Sequence, residues 1–504
     1  MGKKNILINF LKGILLMEEI SIIDKSVDSA NFQFVFPFSI IRGKEDDLVR
    51  KLKENEYRWF RLDNLEKEDD FYGKFEIDHE NLENFFLPFT NRILFPKKED
   101  GKGFQRYSKI YEIEGTLQTT HCHTKFMIES LDVTVCPYQL GFITARVHLD
   151  PVETKMELSE VINFASEFRI MEQNHPTSKI VYKDQTFDHV EHFLLEQIMP
   201  DIKKYMDDST EDSAYFGSFP FFENNKLYVQ SLIGLMSDET IDKYDLFRLG
   251  NLDGYDSEKR PTISSSNEDF IDQYMDSYVY SRWAPYTHYI SEEHGVACIT
   301  NRTGKIFSTI TSSFYGEYYY GLLLTLFHKI TLLKIANEYS HVRIEQDKKR
   351  VEKLIHAVNA FSSNYYFFEL ASNSKGRDIF IQLRDKFKVE QLFEDTRTTL
   401  QSLNQYQENF SSKQGNMLLQ ILTLYSVITG IFGMNLVVDQ LKKGNINWSS
   451  LLTKSNWIEF VALFVTMTGI LISIFLSFRF IYMWHMDKRE RKKWRKEIEY
   501  PNTK

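Results

Sequence analysis

The chain has 504 residues, 26% charged and 42% hydrophobic, a balance that excludes a disordered chain and leaves room for more than one domain. Its 71 acidic residues against 61 basic ones give a net charge of −10, which argues against a general nucleic-acid binder. Three scattered cysteines, Cys122, Cys136 and Cys298, exclude a disulfide scaffold and fit a reducing compartment.

The N-terminus, MGKKNILINFLKGILLMEE, has a short apolar stretch broken by Asn9 and Lys12 and no small-residue cleavage site. It predicts an amphipathic helix, and Ile6 leaves the myristoylation pattern after Gly2 incomplete. All of the eleven prolines except Pro501 lie between Pro37 and Pro285, and this part reads as mixed α/β. Strands are expected over 32–40, 125–135, 141–149 and 226–235, which are rich in β-branched and aromatic residues. Helices are expected over 155–172 and 189–206, where apolar residues recur at a spacing of three to four. The stretches 174–178 and 257–269 read as loops.

Arg146 interrupts the apolar strand GFITARVHL. A buried arginine needs an anion or a carboxylate, so Arg146 is either half of an internal salt bridge, the favoured reading, or a candidate ligand-binding residue. His121-Cys122-His123 lacks a further metal ligand at recognisable spacing. There is no phosphate loop, no G-x-G-x-x-G after a strand and no nucleophile–base signature, so the chain is not read as an enzyme.

From Tyr318 the texture becomes helical and proline-free. SNSKG (372–376) marks a turn, and Arg377 to Phe432 is expected to form one helix of about 80 Å at the usual rise. Two apolar spans follow, Met417–Val438 and Trp457–Phe478, each of about 22 residues, long enough for a hydrocarbon core of roughly 30 Å. The tail carries Lys488, Arg489, Arg491, Lys492, Lys493, Arg495 and Lys496, whereas the intervening loop carries Lys442, Lys443 and Lys454. The positive-inside rule then puts both termini in the cytoplasm of a multi-pass inner (plasma) membrane protein. The expected organisation is an α/β cytoplasmic sensor domain (1–317), long stalk helices (318–416), a first transmembrane helix (417–438), an outer loop (439–456), a second transmembrane helix (457–484) and a basic tail (485–504).

Stepping back from Gly433 by alternating threes and fours gives Gly430, Ser426, Thr423, Leu419, Asn416, Ser412, Asn409, Gln405, Ser402, Thr398 and Asp395. Only Leu419 is neither small nor polar. Such spacing is the seam of a left-handed coiled coil, which ordinarily takes apolar residues. A polar seam suits several copies around a water column, with Leu419 as a dewetting ring; close packing of small residues is the alternative.

A long helix ending in Gly433-Met434-Asn435, preceded by Phe432 and Gly430 and followed by a short loop, a second apolar span and a basic tail, resembles the CorA magnesium transporter superfamily. The resemblance covers roughly 318–496. It implies a funnel-shaped homopentamer conducting divalent cations, Mg2+ foremost, with Asn435 contacting the hydrated ion and Asp395 as a further cation contact. The loop after the motif departs from the family's acidic pattern, with Asp439 set against Lys442 and Lys443. The layout also resembles CorA-like proteins of type III CRISPR systems. That resemblance implies the alternative of an antiviral membrane effector triggered by a nucleotide second messenger, a methionine-adenosyl–AMP conjugate for example.

Overall fold

A computed structural model describes residues 22–62, 69–99, 102–149, 155–172, 177–207, 226–340, 348–367, 369–371, 374–440 and single positions between 464 and 489. The expected N-terminal amphipathic helix lies outside these residues. So do the outer loop, the tail beyond 489 and most of the second span. Two compact units emerge, one of residues 1–337 with 362–395, the other of 338–361 with 396–504.

The first unit is built on one sheet of 12 strands. Its middle runs through β1 (Ser26–Ser39), β5 (Leu140–Leu149), β4 (His123–Cys136) and β3 (Gln105–Thr119), all antiparallel neighbours. β9 (Tyr228–Leu235) joins β1 from the other side and meets β12 (Gly295–Thr300) in the parallel sense. The strands expected at 32–40, 125–135, 141–149 and 226–235 are β1, β4, β5 and β9. β3 went unforeseen because QRYSKIYEIEGTLQT carries charge at many positions.

Side chains alternate across a strand, so each strand divides its residues between the two faces. Phe32, Phe34, Phe36 and Phe38 of β1 share one face with Ile143, Ala145 and Val147 of β5 and are almost fully buried. α4 (Leu158–Phe168) packs there, with Phe168 4.7 Å from Phe34 and stacked on Phe164 at 5.3 Å. That aromatic layer is the main core, and the strand alternation concentrates the polar residues on the opposite face.

Three local expectations are corrected. The helix expected over 155–172 starts only at Leu158, because Met156–Glu157 pairs with β1 as β6. The helix expected over 189–206 is a π-turn at His192–Ile198 and a separate 3-10 turn at Lys203–Tyr205. The single helix expected over Arg377–Phe432 is two, α10 (Ser374–Lys386) and α11 (Val389–Gln440), because Lys388 takes a left-handed φ of 53°. A lysine has no signature for that conformation, so nothing in KFKVE announces the break.

The transmembrane hairpin, and with it the membrane-protein, channel and inner-membrane expectations, is also corrected. Among the described residues no helix is long and apolar enough to cross a membrane. The reason lies in α11. Its stretch 389–416 is polar, carrying Glu390, Glu394, Asp395, Arg397 and Glu408. Its apolar run begins only at Met417, so the first half of the helix is no part of a span.

Candidate functional site

Two features of the described residues can carry function: a buried ionic layer in the first unit and an exposed polar seam on α11.

The ionic layer is set by strand register. Ser130 and Gln33 flank Arg146 across the ladder, and Gln230 lies beyond Gln33. Ser108, Asp132 and Thr144 form the next row, and Arg106 pairs with Thr134. A bulge between Ile128 and Ser130 makes this possible: it moves β4 by one residue, so that Ser130, Asp132 and Thr134 face away from the aromatic core.

Arg146 donates through both terminal nitrogens to Asp132, with Nη1 at 2.8 Å from Oδ1, and Nη1 also reaches Ser130 Oγ at 3.0 Å. Arg106 Nε lies 2.8 Å from Asp132 Oδ2 and donates to Ser108 Oγ at 3.0 Å. Its Nη1 donates to the hydroxyls of Tyr72 and Tyr320, at 3.0 and 2.8 Å. Rings close the layer: Arg106 lies 4.3 Å from the centre of Phe60, and Arg146 lies 4.9 Å from that of Tyr72. Burial pushes the Asp132 carboxyl up, but the two guanidiniums outweigh it and hold the group below the usual carboxylate range.

The segment covering this layer is itself unusual. α7 (Gly304–Ser313) and α8 (Tyr319–Ser340) are joined by a π-turn, Phe314–Tyr318, in which Gly316 leaves helical geometry (φ −93°, ψ −106°). The Phe314 carbonyl accepts from the side-chain amides of Gln230 (2.9 Å) and Gln33 (3.4 Å), and the hydroxyl of Tyr319 meets Thr144 at 2.9 Å. Lys334 Nζ donates to Ser39 Oγ (2.7 Å) and to the Tyr138 carbonyl (3.0 Å). The first turns of α8, Tyr319 to Phe327, carry no charge and are buried on all sides, which suits a helix enclosed by neighbours.

Of the residues singled out in the sequence, Arg146 thus has its internal carboxylate, Asp132. His121, Cys122 and His123 sit in the β3–β4 turn, where Thr119 Oγ1 accepts from the backbone of His121 and Cys122. Burial there pushes the Cys122 thiol up to about 11. Among the described residues no group of three or more His, Cys, Asp or Glu gathers to hold a metal. Arg106, Asp132, Tyr72 and Tyr320 went unread. The signal for Asp132 was polar residues at every second position of β4, Ser130, Asp132 and Thr134, in an otherwise apolar strand; Tyr72 and Tyr320 lie off the sheet and had no such signal.

On α11, Asp395, Thr398, Ser402, Gln405, Asn409, Ser412, Asn416, Leu419, Thr423, Ser426 and Gly430 are all exposed. A groove lined by Asn416, Leu419, Gln420, Thr423, Leu424 and Val427 runs along this part of the helix. Ser402 Oγ donates to the Thr398 carbonyl at 3.0 Å and Thr423 Oγ1 to that of Leu419 at 2.7 Å. With their protons turned into the helix, these hydroxyls offer lone pairs outward, as a cation contact requires. Gly433, Met434 and Asn435 continue α11, and their side chains lie outside the described residues. No known protein family, curated protein or solved structure matches the chain.

Proposed function

We propose that the chain is a self-assembling, CorA-like divalent-cation-binding protein, regulated by its sheet domain, in which copies of α11 gather around their polar seams and hold divalent cations, Mg2+ foremost, along the shared axis. The observation that supports this reading is the unbroken exposure of the seam from Asp395 to Gly430, at the three-and-four spacing by which helices of a bundle meet. Leu422, Leu424 and Val427 are exposed toward the flanks of the same seam, and their burial between copies would drive assembly. The acceptors on offer are neutral amides and hydroxyls. Mg2+ sheds water reluctantly and prefers oxygen, so such a lining contacts the hydrated ion without trapping it. The resemblance implies five copies. The alternative trigger, a nucleotide messenger at Arg146, is the weaker reading, since Arg146 already holds Asp132.

Disulfide trapping tests the arrangement. The native cysteines are buried, so one cysteine added to α11 is selective. Thr423→Cys, on the seam, is expected to cross-link copies under mild oxidation, whereas Ile421→Cys, on the opposite side of the helix, is not. Equal cross-linking at the two positions, or none at Thr423→Cys, would reject a bundle with the seam inward.

A further inference from the structure

The π-turn between α7 and α8 has a short helix seated on it. α2 (His79–Phe85) has 7 residues, too few to hold helical shape without packing. Leu82 of this helix and Ile77 just before it are buried, and a Cβ placed on Gly316 would lie 3.7 Å from a methyl group of each. The backbone N–H of Asp78 donates to Ser312 Oγ at 2.9 Å. The side chain of Asp78 caps α2 by accepting from the backbone of Asn81 at 2.9 Å. The start of α2 therefore rests on the turn at its one non-helical residue.

Glu317, next to Gly316, is the weak point of that seat. Its side chain is hydrogen-bonded to Ser313, and the charged side chain that acts on it is Asp78, of like sign. Among the described residues the other elements against the turn bring it no cation. β1 and β9 present neutral amides, Gln33 and Gln230, to the Phe314 carbonyl. Tyr289 of β11 (Thr287–Glu292) and Cys298 of β12 stand beside Tyr318, and burial keeps both neutral. Tyr280 of β10 (Val279–Trp283), raised by burial as well, also acts on Tyr318. Arg146 and Glu129 act on Tyr315. Burial and Asp78 together raise the Glu317 carboxyl to about 7, whereas in water it would ionise in the ordinary carboxylate range.

We propose that α2 is a pH-sensitive cover on the π-turn, released more often as Glu317 ionises. Protonated, Glu317 fits its enclosed place and the cover stays seated. Ionised, it is repelled by Asp78 and gains hydration when the segment 77–85 lifts. The lifted state holds fewer protons than the seated one, so release grows as pH rises from the ordinary carboxylate range to about 7 and is level above that. The device belongs to the first unit and does not rest on the assembly of α11.

Amide hydrogen exchange of the full chain tests this, read by mass spectrometry over 77–85 and corrected for the intrinsic pH dependence of exchange. Protection of the segment is expected to fall about fiftyfold between pH 5 and pH 8, the ratio set by the ordinary and the raised carboxyl. Glu317→Gln keeps the shape without the charge and should hold protection near its pH 5 level throughout. Asp78→Asn keeps the cap, since Asn serves as well there, and should make the fall smaller. The same pH dependence over 77–85 in the wild type and in Glu317→Gln would overturn the proposal, and so would protection in the wild type that does not change with pH. Should Glu317→Gln fail to fold, an undiminished fall in Asp78→Asn would overturn it equally.

Discussion

At the scale of single residues, Asp132 is the carboxylate that both buried arginines of the layer share. It accepts from both arginines, and both would be left as buried cations without it. Asp132→Asn is therefore expected to cost about 3–5 kcal/mol in urea unfolding, the range for breaking a buried pair from one side. Combining it with Arg106→Gln should recover part of that loss, because only one guanidinium then remains to be satisfied. A cost below about 1 kcal/mol would show that water, and not Asp132, solvates the pair. The need of Arg146 for a carboxylate was legible in the sequence, since a charge inside GFITARVHL has few other uses. Its partner was not. In KFMIESLDVTV the face on which Asp132 lies depends on the bulge at residue 129, and no local pattern announces a bulge.

Among the elements, the π-turn between α7 and α8 is the one with a titration built into it. Burial pushes the Glu317 carboxyl up to about 7, Asp78 adds to the rise, and the hydrogen bond with Ser313 only partly offsets it. The folded chain then holds a proton there that the unfolded chain has released, which sets the sign. This contribution to stability is intact below the ordinary carboxylate range, falls as pH climbs to about 7 and is level above that. Glu317→Gln removes the charge and keeps the shape. It is expected to leave unfolding unchanged at low pH and to stabilise by about 2–3 kcal/mol on the alkaline side, measured by denaturant titration at the two pH values. Asp245, also raised to about 7 by burial and by Asp242, adds a slope of the same sign, which Glu317→Gln should leave in place. No stabilisation on the alkaline side would mean that the carboxylate reaches water without strain. The strands were the most legible elements, because β-branched and aromatic runs leave little choice. The π-turn and the break at Lys388 were not, since both rest on backbone conformations that GEYYYG and KFKVE do not signal.

For the molecule as a whole, the sequence led in two directions of unequal worth. The polar stripe of α11 was readable from spacing alone, and its positions from Asp395 to Gly430 are exposed. The membrane hairpin rested on two apolar runs, Met417–Val438 and Trp457–Phe478. Among the described residues no helix is long and apolar enough to cross a membrane, which overturns that hairpin. The sheet domain was foreseen as α/β with four of its strands. Its polar face was not foreseen, because pairing partners far apart in the chain create it.

The central claim, that assembled α11 helices hold divalent cations along their seam, is tested most directly by Mn2+ binding, with Mn2+ as a paramagnetic substitute for Mg2+. The full chain, its assembly size measured in parallel, should bind Mn2+ in a form that Mg2+ displaces. Asn416→Leu combined with Thr423→Val should keep the assembly size and weaken that binding at least about tenfold, or about 1.4 kcal/mol. Binding that is unchanged in the double variant, or a wild-type chain that stays monomeric, would contradict the account.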